Sequence, residues 1–325
     1  MDTTYEFPLA HTYLPNIQCM YENLKAFKST PVYNKFYLSG YYSSHKSFLP
    51  PKFRRSFVYL SSTESYFDID GLTDHFTEHI RHSSRKSYSK SVYDCWNDPV
   101  CRQKIIQDYL NSNDLTPKGL RDAIYKNTSE PGLFRLTWCK GLFELIFGST
   151  VHTHKHVLDI SSGWGDRLIC SISMGYSYLG FDPNLNLKSG HDNIIRQFGN
   201  ADLHQIQYIP FEDAVIPHNK FDIVLTSPPF FDLEIYSDDQ TQSISRYPQL
   251  DQWITHFLFV SIDKAWLSLK SNGYLAIHMA DTYHHHVCER MNKHIQTFPN
   301  SSWEGVIGLE TSKNIVYPVW VWIKI

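Results

Sequence analysis

Hydrophobic and polar positions divide the chain unequally. Beyond residue 150, short apolar runs alternate with stretches of helical spacing. The runs predict strands at His156–Ile160, Tyr176–Phe181, His204–Ile209, Phe221–Leu225 and Tyr274–Met279. The amphipathic stretches predict helices ending at Met174 and spanning Asn184–Phe198, Asp251–Leu269 and Asp281–Phe298. Trp303–Leu309 and Val316–Ile325 read as a closing hairpin. Phe221–Leu225 is broken only by Asp222, the pattern of a central strand covered on both faces. Between Tyr93 and Gly148 the reading is helical: Asn97-Asp98-Pro99 and Thr116-Pro117 are helix starts, and Pro131–Phe147 carries a broad apolar stripe. Residues 1–92 show no clear period. Alternating strands and helices give an α/β fold, with an accessory region at 1–92, a helical segment at 93–150 and a main lobe at 151–325.

Composition narrows the class. The chain has 325 residues, 42% hydrophobic and 19% charged, enough for one large or two medium folded units. No stretch approaches the ~20 apolar residues of a membrane span, and MDTTYEFPLA lacks the regions of a secretory signal, so a cytoplasmic or nuclear protein is expected. The six cysteines show no paired short spacing, which predicts reduced thiols and neither a zinc site nor a disulfide framework. His75, His79, His82 and the run His284–His286 lack partners at ligand spacing, so no metal is expected. The net charge of −3 conceals a basic half: residues 25–121 carry 15 Lys or Arg against 9 Asp or Glu. Two stretches there, His45–Tyr59 and His82–Tyr93, mix basic, hydroxyl and aromatic side chains, which can neutralise phosphates, bond them and stack on bases.

Two loops carry the candidate chemistry. DISSGWGDRL follows the first strand of the main lobe and holds Asp159, Ser161, Gly163 and Gly165. Its glycines allow close backbone approach to a ligand, and the helix it opens favours an anionic group at its N-terminus. Asp182 ends the next strand, 23 residues after Asp159, a spacing at which doubly wound folds hydrogen-bond ribose hydroxyls. The other loop is Ser227-Pro228-Pro229-Phe230, at the carboxyl end of the central strand, where two prolines remove two backbone donors and stiffen the chain.

Ser227-Pro228-Pro229-Phe230 resembles the catalytic tetrapeptide of S-adenosylmethionine-dependent methyltransferases that modify exocyclic amino nitrogens of nucleic-acid bases, and the DISSGWGDRL loop resembles their glycine-rich cofactor loop. The resemblance covers about residues 93–325 and implies a Rossmann-like class I fold, a seven-stranded mostly parallel sheet ending in a hairpin. It implies S-adenosyl-L-methionine as cofactor and DNA as partner, with RNA or a protein amide as the alternative substrate and a catalytically silent binding subunit as the alternative role. In the family an acidic residue after the third strand contacts the adenine amino group, which selects Asp213, with Phe211 as a ring neighbour. GLFRLTWCKGLFELIFG resembles the segment that precedes the cofactor strand in viral and phage members, where it helps enclose the methionine end; Phe134, Arg135 and Lys140 are its matching candidates. Ser161-Ser162 and Trp164 depart from the smaller residues usual in the glycine loop.

The chemistry explains the tetrapeptide. An exocyclic amine is conjugated with its ring and is a poor nucleophile, so Ser227 Oγ and the Pro228 carbonyl are the acceptors expected to grip its N–H groups. Phe230 is the face for a base flipped out of a duplex. Serine in the first position is commoner among cytosine-N4 enzymes of the family, which favours cytosine N4 slightly over adenine N6.

Overall fold

A strand buried on both faces must send alternate side chains into different cores. The computed structural model shows this at Phe221–Thr226: Ile223 and Leu225 enter one apolar cluster and Val224 the other. It describes residues 7–8, 16–33, 58–61, 68–148, 153–282, 284–311 and 316–325. The strands are β1 (Val32–Tyr33), β2 (Val58–Ser61), β3 (Arg85–Lys86), β4 (His156–Asp159), β5 (Ser177–Phe181), β6 (His204–Gln207), β7 (Phe221–Thr226), β8 (Glu234–Ile235), β9 (Leu269–His278), β10 (Ser301–Glu310) and β11 (Val316–Lys324). The helices are α1 (Ile17–Ala26), α2 (Asp74–Arg81), α3 (Val92–Asn97), α4 (Pro99–Leu110), α5 (Pro117–Asn127), α6 (Leu136–Phe147), α7 (Asp166–Ser173), α8 (Lys188–Phe198), α9 (Ser243–Arg246), α10 (Leu250–Gln252), α11 (Phe259–Ser268) and α12 (Cys288–Gln296).

The main sheet runs β1-β2-β10-β11-β9-β7-β4-β5-β6. From β9 to β6 every pairing is parallel, while β11 is antiparallel to both β9 and β10. Its last seven members are the Rossmann-like class I methyltransferase sheet that the resemblance implied, hairpin included. One core holds α1, α6, α7 and α8; the other holds Trp253–Phe257, α11 and α12. Chain order reverses beside β4, so the ends of β4 and β7 open the crevice in which such sheets bind ligands.

Two strands from the N-terminal region extend the sheet, so it has nine strands among the described residues. β2 lies parallel to β10, with Ile307 opposite Val58 and Leu309 opposite Leu60, and β1 pairs beyond it. The neighbouring segment also holds the glycine loop: Thr73 Oγ1 donates to Asp166 Oδ1 at 2.7 Å and Thr77 Oγ1 to the Trp164 carbonyl at 2.9 Å. Asp70 accepts from the Thr137 backbone N–H at 2.9 Å, capping α6 from a distance because Arg135 at its N-cap makes no such bond. A buried network then ties α2 to α5. Arg121 donates to Asp74 at 2.9 Å and Glu78 at 3.1 Å, Tyr125 donates to Glu78 at 2.7 Å, and Arg81 contacts Asp74.

Helix starts at Pro99 and Pro117 stand where their caps predict. Asp98 Oδ1 accepts from Val100 and Cys101 N–H, and Thr116 Oγ1 from Gly119 N–H. Three expectations change. The helix expected from Asp281 begins at Cys288, because Asp281 Oδ1 accepts from Val287 and Cys288 N–H at 2.7 and 2.8 Å and so caps α12 from outside it. The helix expected at Asp251–Leu269 is present with a π-helical stretch, Trp253–Leu258, inside it. Cys95 and Cys101, which the sequence did not pair, lie side by side: the tight junction of α3 and α4 at Asp98-Pro99 brings their Cα atoms to 5.3 Å, within reach of a disulfide. No described helix is long and apolar enough to cross a membrane. Among the described residues no group of His, Cys, Asp or Glu could hold a metal ion. Of the basic stretch His45–Tyr59, all but residues 58 and 59 lie outside the described residues.

Candidate active site

Both candidate loops open into one cavity of about 660 Å³, within the range of small-molecule sites. Ser161, Gly163, Trp164 and Asp182 line one part of it; Ser227, Pro229, Phe230 and His278 line another. Each group arrives from a strand end. β4 leads into the glycine loop, β5 ends before Asp182, and β7 and β9 end before Ser227 and at His278.

The glycine loop is shaped by its own backbone. Gly163 sits at φ +56° and Gly165 at φ +103°, left-handed conformations that favour glycine. At Gly165 a Cβ would also lie 2.8 Å from Ile194 Cδ1, so this glycine serves the packing of α7 on α8 and does not line the cavity. Asp159 is fully buried beneath the loop, where Oδ2 accepts from Arg167 Nε and from Tyr178 OH, each at 2.7 Å, and Oδ1 from Ser161 N–H at 3.2 Å. It supports the loop and is absent from the cavity wall. Asp182 is on the wall. Its Oδ2 accepts from Gly163 N–H at 2.8 Å and its Oδ1 from Asn184 N–H at 2.9 Å; burial pushes its carboxyl up to about 6 against those two bonds. Asp166, the first residue of α7, also faces the cavity, and burial raises its carboxyl to about 7.

In the segment expected to contact adenine, the structure differs from the expectation by one residue. Phe211 and Glu212 line the cavity while Asp213 is half exposed and does not; Arg246 pairs with both carboxylates, Glu212 at 2.6 Å and Asp213 at 2.9 Å. The FED segment is a single 3-10 turn, so consecutive side chains diverge and Glu212 takes the inward place. Lys140 is displaced further. Its Nζ donates to the Leu24 and Lys25 carbonyls, each at 2.7 Å, satisfying the last turn of α1 and lying off the cavity wall. Helical spacing places Lys140 on a buried face but does not say which neighbour that face meets. Lys140→Met should lower the thermal midpoint by leaving the buried Leu24 carbonyl and the part-buried Lys25 carbonyl without this donor, a cost of about 1–3 kcal/mol. Affinity for the cofactor should stay at the wild-type value, which calorimetry checks.

Phe134 and Arg135, by contrast, line the cavity. The Phe134 ring lies 5.0 Å from the Arg167 guanidinium and 5.3 Å from the His278 ring.

In the tetrapeptide, Ser227, Pro229 and Phe230 face the cavity while Pro228 is buried and does not. The next residue explains how the loop turns. Phe231 adopts φ +52°, a costly conformation for an aromatic residue, and drives its ring into the core against Trp253 and His285. Anchored there, the chain reverses, and Phe230 remains on the cavity side. Beyond it, β8 pairs with β3, so Arg85 and Lys86 of the second basic stretch are bonded to the segment that follows the tetrapeptide; Lys86 lines the same cavity. Over the opening, Thr241, Gln242 and Ser243 contribute polar wall, held by Trp253 Nε1 donating to Ser243 Oγ at 3.0 Å.

His278, Glu212 and Gln242 were not singled out by the sequence. For His278 a signal existed: it ends the strand expected beside the central one. Among the described residues, Ser161 Oγ, Gln242 Nε2, His278 Nε2 and Trp138 Nε1 are buried atoms of cavity-lining residues that have no hydrogen-bond partner. Buried polar atoms without partners mark places where a ligand completes the bonding. With the Asp182 carboxylate and the Trp164 and Phe211 rings, they fit a ligand bearing ribose hydroxyls, hydrogen-bond acceptors and a planar base.

The chain matches no protein-family model and no curated protein. Among solved structures it is similar to TrmN from Thermus thermophilus, at 14% identity and a TM-score of 0.44 over 60% of this chain and 50% of that one. It is similar to 1,6-didemethyltoxoflavin-N1-methyltransferase from Burkholderia thailandensis, solved with 1,6-didemethyltoxoflavin and S-adenosylhomocysteine, at 10% identity and a TM-score of 0.42 over 57% and 76% of the two chains. The tRNA (m1A58) methyltransferase TrmI from Aquifex aeolicus matches at 14% identity and a TM-score of 0.36 over 58% and 69%. The chain thus spans half the length of TrmN. The fold assignment rests on the strand order described above.

Proposed function

We propose that this protein transfers a methyl group from S-adenosylmethionine to an exocyclic amino nitrogen of a DNA base, cytosine N4 ahead of adenine N6. The observation that supports it most is the shared cavity, with Asp182 and the glycine loop in one part and the Ser-Pro-Pro-Phe loop in the other. Ser161, Gly163, Asp182, Phe211 and Phe134 are the residues that would hold the cofactor, with Glu212 in the place expected for Asp213. When bound, S-adenosylmethionine supplies an electrophilic methyl on a sulfonium.

The protein's own residues do the rest. Ser227 accepts a hydrogen bond from the target amine, the prolines keep that acceptor from drifting, and Phe230 offers a face to a base taken out of the stack. The amine's surplus proton is acidic once the methyl is attached, so no strong base is required. Arg85 and Lys86, joined by backbone hydrogen bonds to the segment after the tetrapeptide, would be the cations for phosphates flanking such a base.

Mass spectrometry of nucleosides from DNA and RNA incubated with the protein and S-adenosylmethionine tests this directly. N4-methylcytosine or N6-methyladenine in DNA supports the reading. Methylation of RNA, of a protein amide or of nothing at all overturns it.

A further inference from the structure

Ser227 has one hydroxyl proton and two lone pairs, and its surroundings decide which of these face the cavity. A loop serine ordinarily accepts from a backbone N–H one or two residues on. Here those residues are Pro228 and Pro229, and neither has an N–H to give. The side-chain partner that Ser227 does have is His278, with Oγ 3.0 Å from Nδ1. Register produces the contact: Thr226 pairs with Ile277, so Ser227 and His278 leave neighbouring parallel strands at the same level. The Phe134 and Phe230 rings stand 5.3 and 5.6 Å from the imidazole and hold it in place. Burial and the nearby Arg167 guanidinium push the imidazole down to about 3, so it is neutral at pH 7 and able to accept a proton's hydrogen bond at one nitrogen.

We propose that His278 is the positioning residue for Ser227: its Nδ1 accepts the hydroxyl hydrogen, which leaves Ser227 Oγ facing the cavity with lone pairs alone. The inference rests on the amino-methylation reading and gives that reading a selectivity. A wall that only accepts suits a neutral nitrogen still carrying hydrogens. A ring nitrogen that presents its own lone pair would meet Ser227 lone pair to lone pair. The paired prolines therefore do more than stiffen the loop, because they also withhold the backbone donors that would saturate the serine.

Nitrogen NMR of the full-length protein labelled at histidine reads the bond without turnover. Nδ1 of His278 should be unprotonated in the wild type and should shift on Ser227→Ala; a protonated Nδ1, or no shift, overturns the proposal. Two variants then test the consequence for rate. His278→Leu keeps much of the bulk and removes the acceptor, and should lower kcat about tenfold, the worth of one ordinary hydrogen bond. Its S-adenosylhomocysteine affinity and thermal midpoint should match the wild type. His278→Asn, whose Oδ1 can stand near the Nδ1 position, should recover most of that loss. In a Ser227→Ala background His278→Leu should cost nothing further. Equal losses in the Leu and Asn variants, or additive losses with Ser227→Ala, overturn the proposal. A wild-type protein that methylates no amine would sink the amino-methylation reading while the nitrogen spectrum still decides the Ser227–His278 bond.

Discussion

Ser227→Ala should lower kcat by about 5- to 30-fold, the effect of losing about 1–2 kcal/mol of hydrogen bonding to the reacting nitrogen, while cofactor affinity stays unchanged. The expectation follows from where Ser227 stands. It lines the cavity at the end of β7, and among the described residues its one side-chain hydrogen bond is to His278, which is not part of the glycine loop. Removing the hydroxyl therefore disturbs neither Asp182 nor Gly163. Steady-state kinetics with calorimetry of S-adenosylhomocysteine separates the two quantities. A loss of cofactor affinity as large as the loss of rate would show that Ser227 belongs to the cofactor's wall and not to the amine's.

Asp182 should make cofactor binding depend on pH, with a sign that can be worked out. Burial raises its carboxyl to about 6, with Asp159 adding to the rise and the Gly163 and Asn184 N–H groups and Arg167 opposing it. In the free protein this raised value means that protonation stabilises the fold. That contribution is full below the ordinary carboxylate range near 4 and is lost as pH rises through 6. Above 6 the group is ionised at a cost, and ribose hydroxyls donating to it offset that cost. The Asp182 contribution to affinity should therefore be flat above pH 7 and fall as pH drops through 6, by about tenfold per unit once the carboxyl is mostly protonated. Asp182→Asn should abolish this step, and Asp182→Ala should weaken binding by about 1–3 kcal/mol. Asp166, raised to about 7 and also on the wall, contributes a separate step that should survive in Asp182→Asn. Calorimetry between pH 5 and 8 on both proteins checks it, and an unchanged step in the asparagine variant would remove Asp182 from the site.

The features legible in the sequence share a cause. β4, β5 and β7 were readable because covering a strand on both faces leaves a run of apolar residues, and α4 and α5 because Asp98 and Thr116 cap them through their own side chains. Ser227 and Asp182 were readable because a strand end fixes where its next residue goes. What escaped was decided by partners distant in the chain. Lys140 satisfies carbonyls more than a hundred residues earlier, β2 pairs with a strand some 250 residues later, and Asp281 caps a helix from outside it. Asp213 failed for a local reason, since a 3-10 turn reverses the facing of adjacent residues and periodicity cannot say which one turns inward.

The pairing of β2 along β10 bears on how much of the chain can be dispensed with. A version starting near residue 93 would retain every strand from β4 to β11, yet β10 would become an unprotected rim with Val306, Ile307 and Leu309 in it, an invitation to stick to another copy. It would also lack the threonines that brace the glycine loop and the aspartate that caps α6. Such a truncation should come out of solution as aggregate, seen by size-exclusion chromatography, where the intact chain elutes as a discrete species. The described segments ahead of residue 93 are in that sense scaffolding for the main lobe.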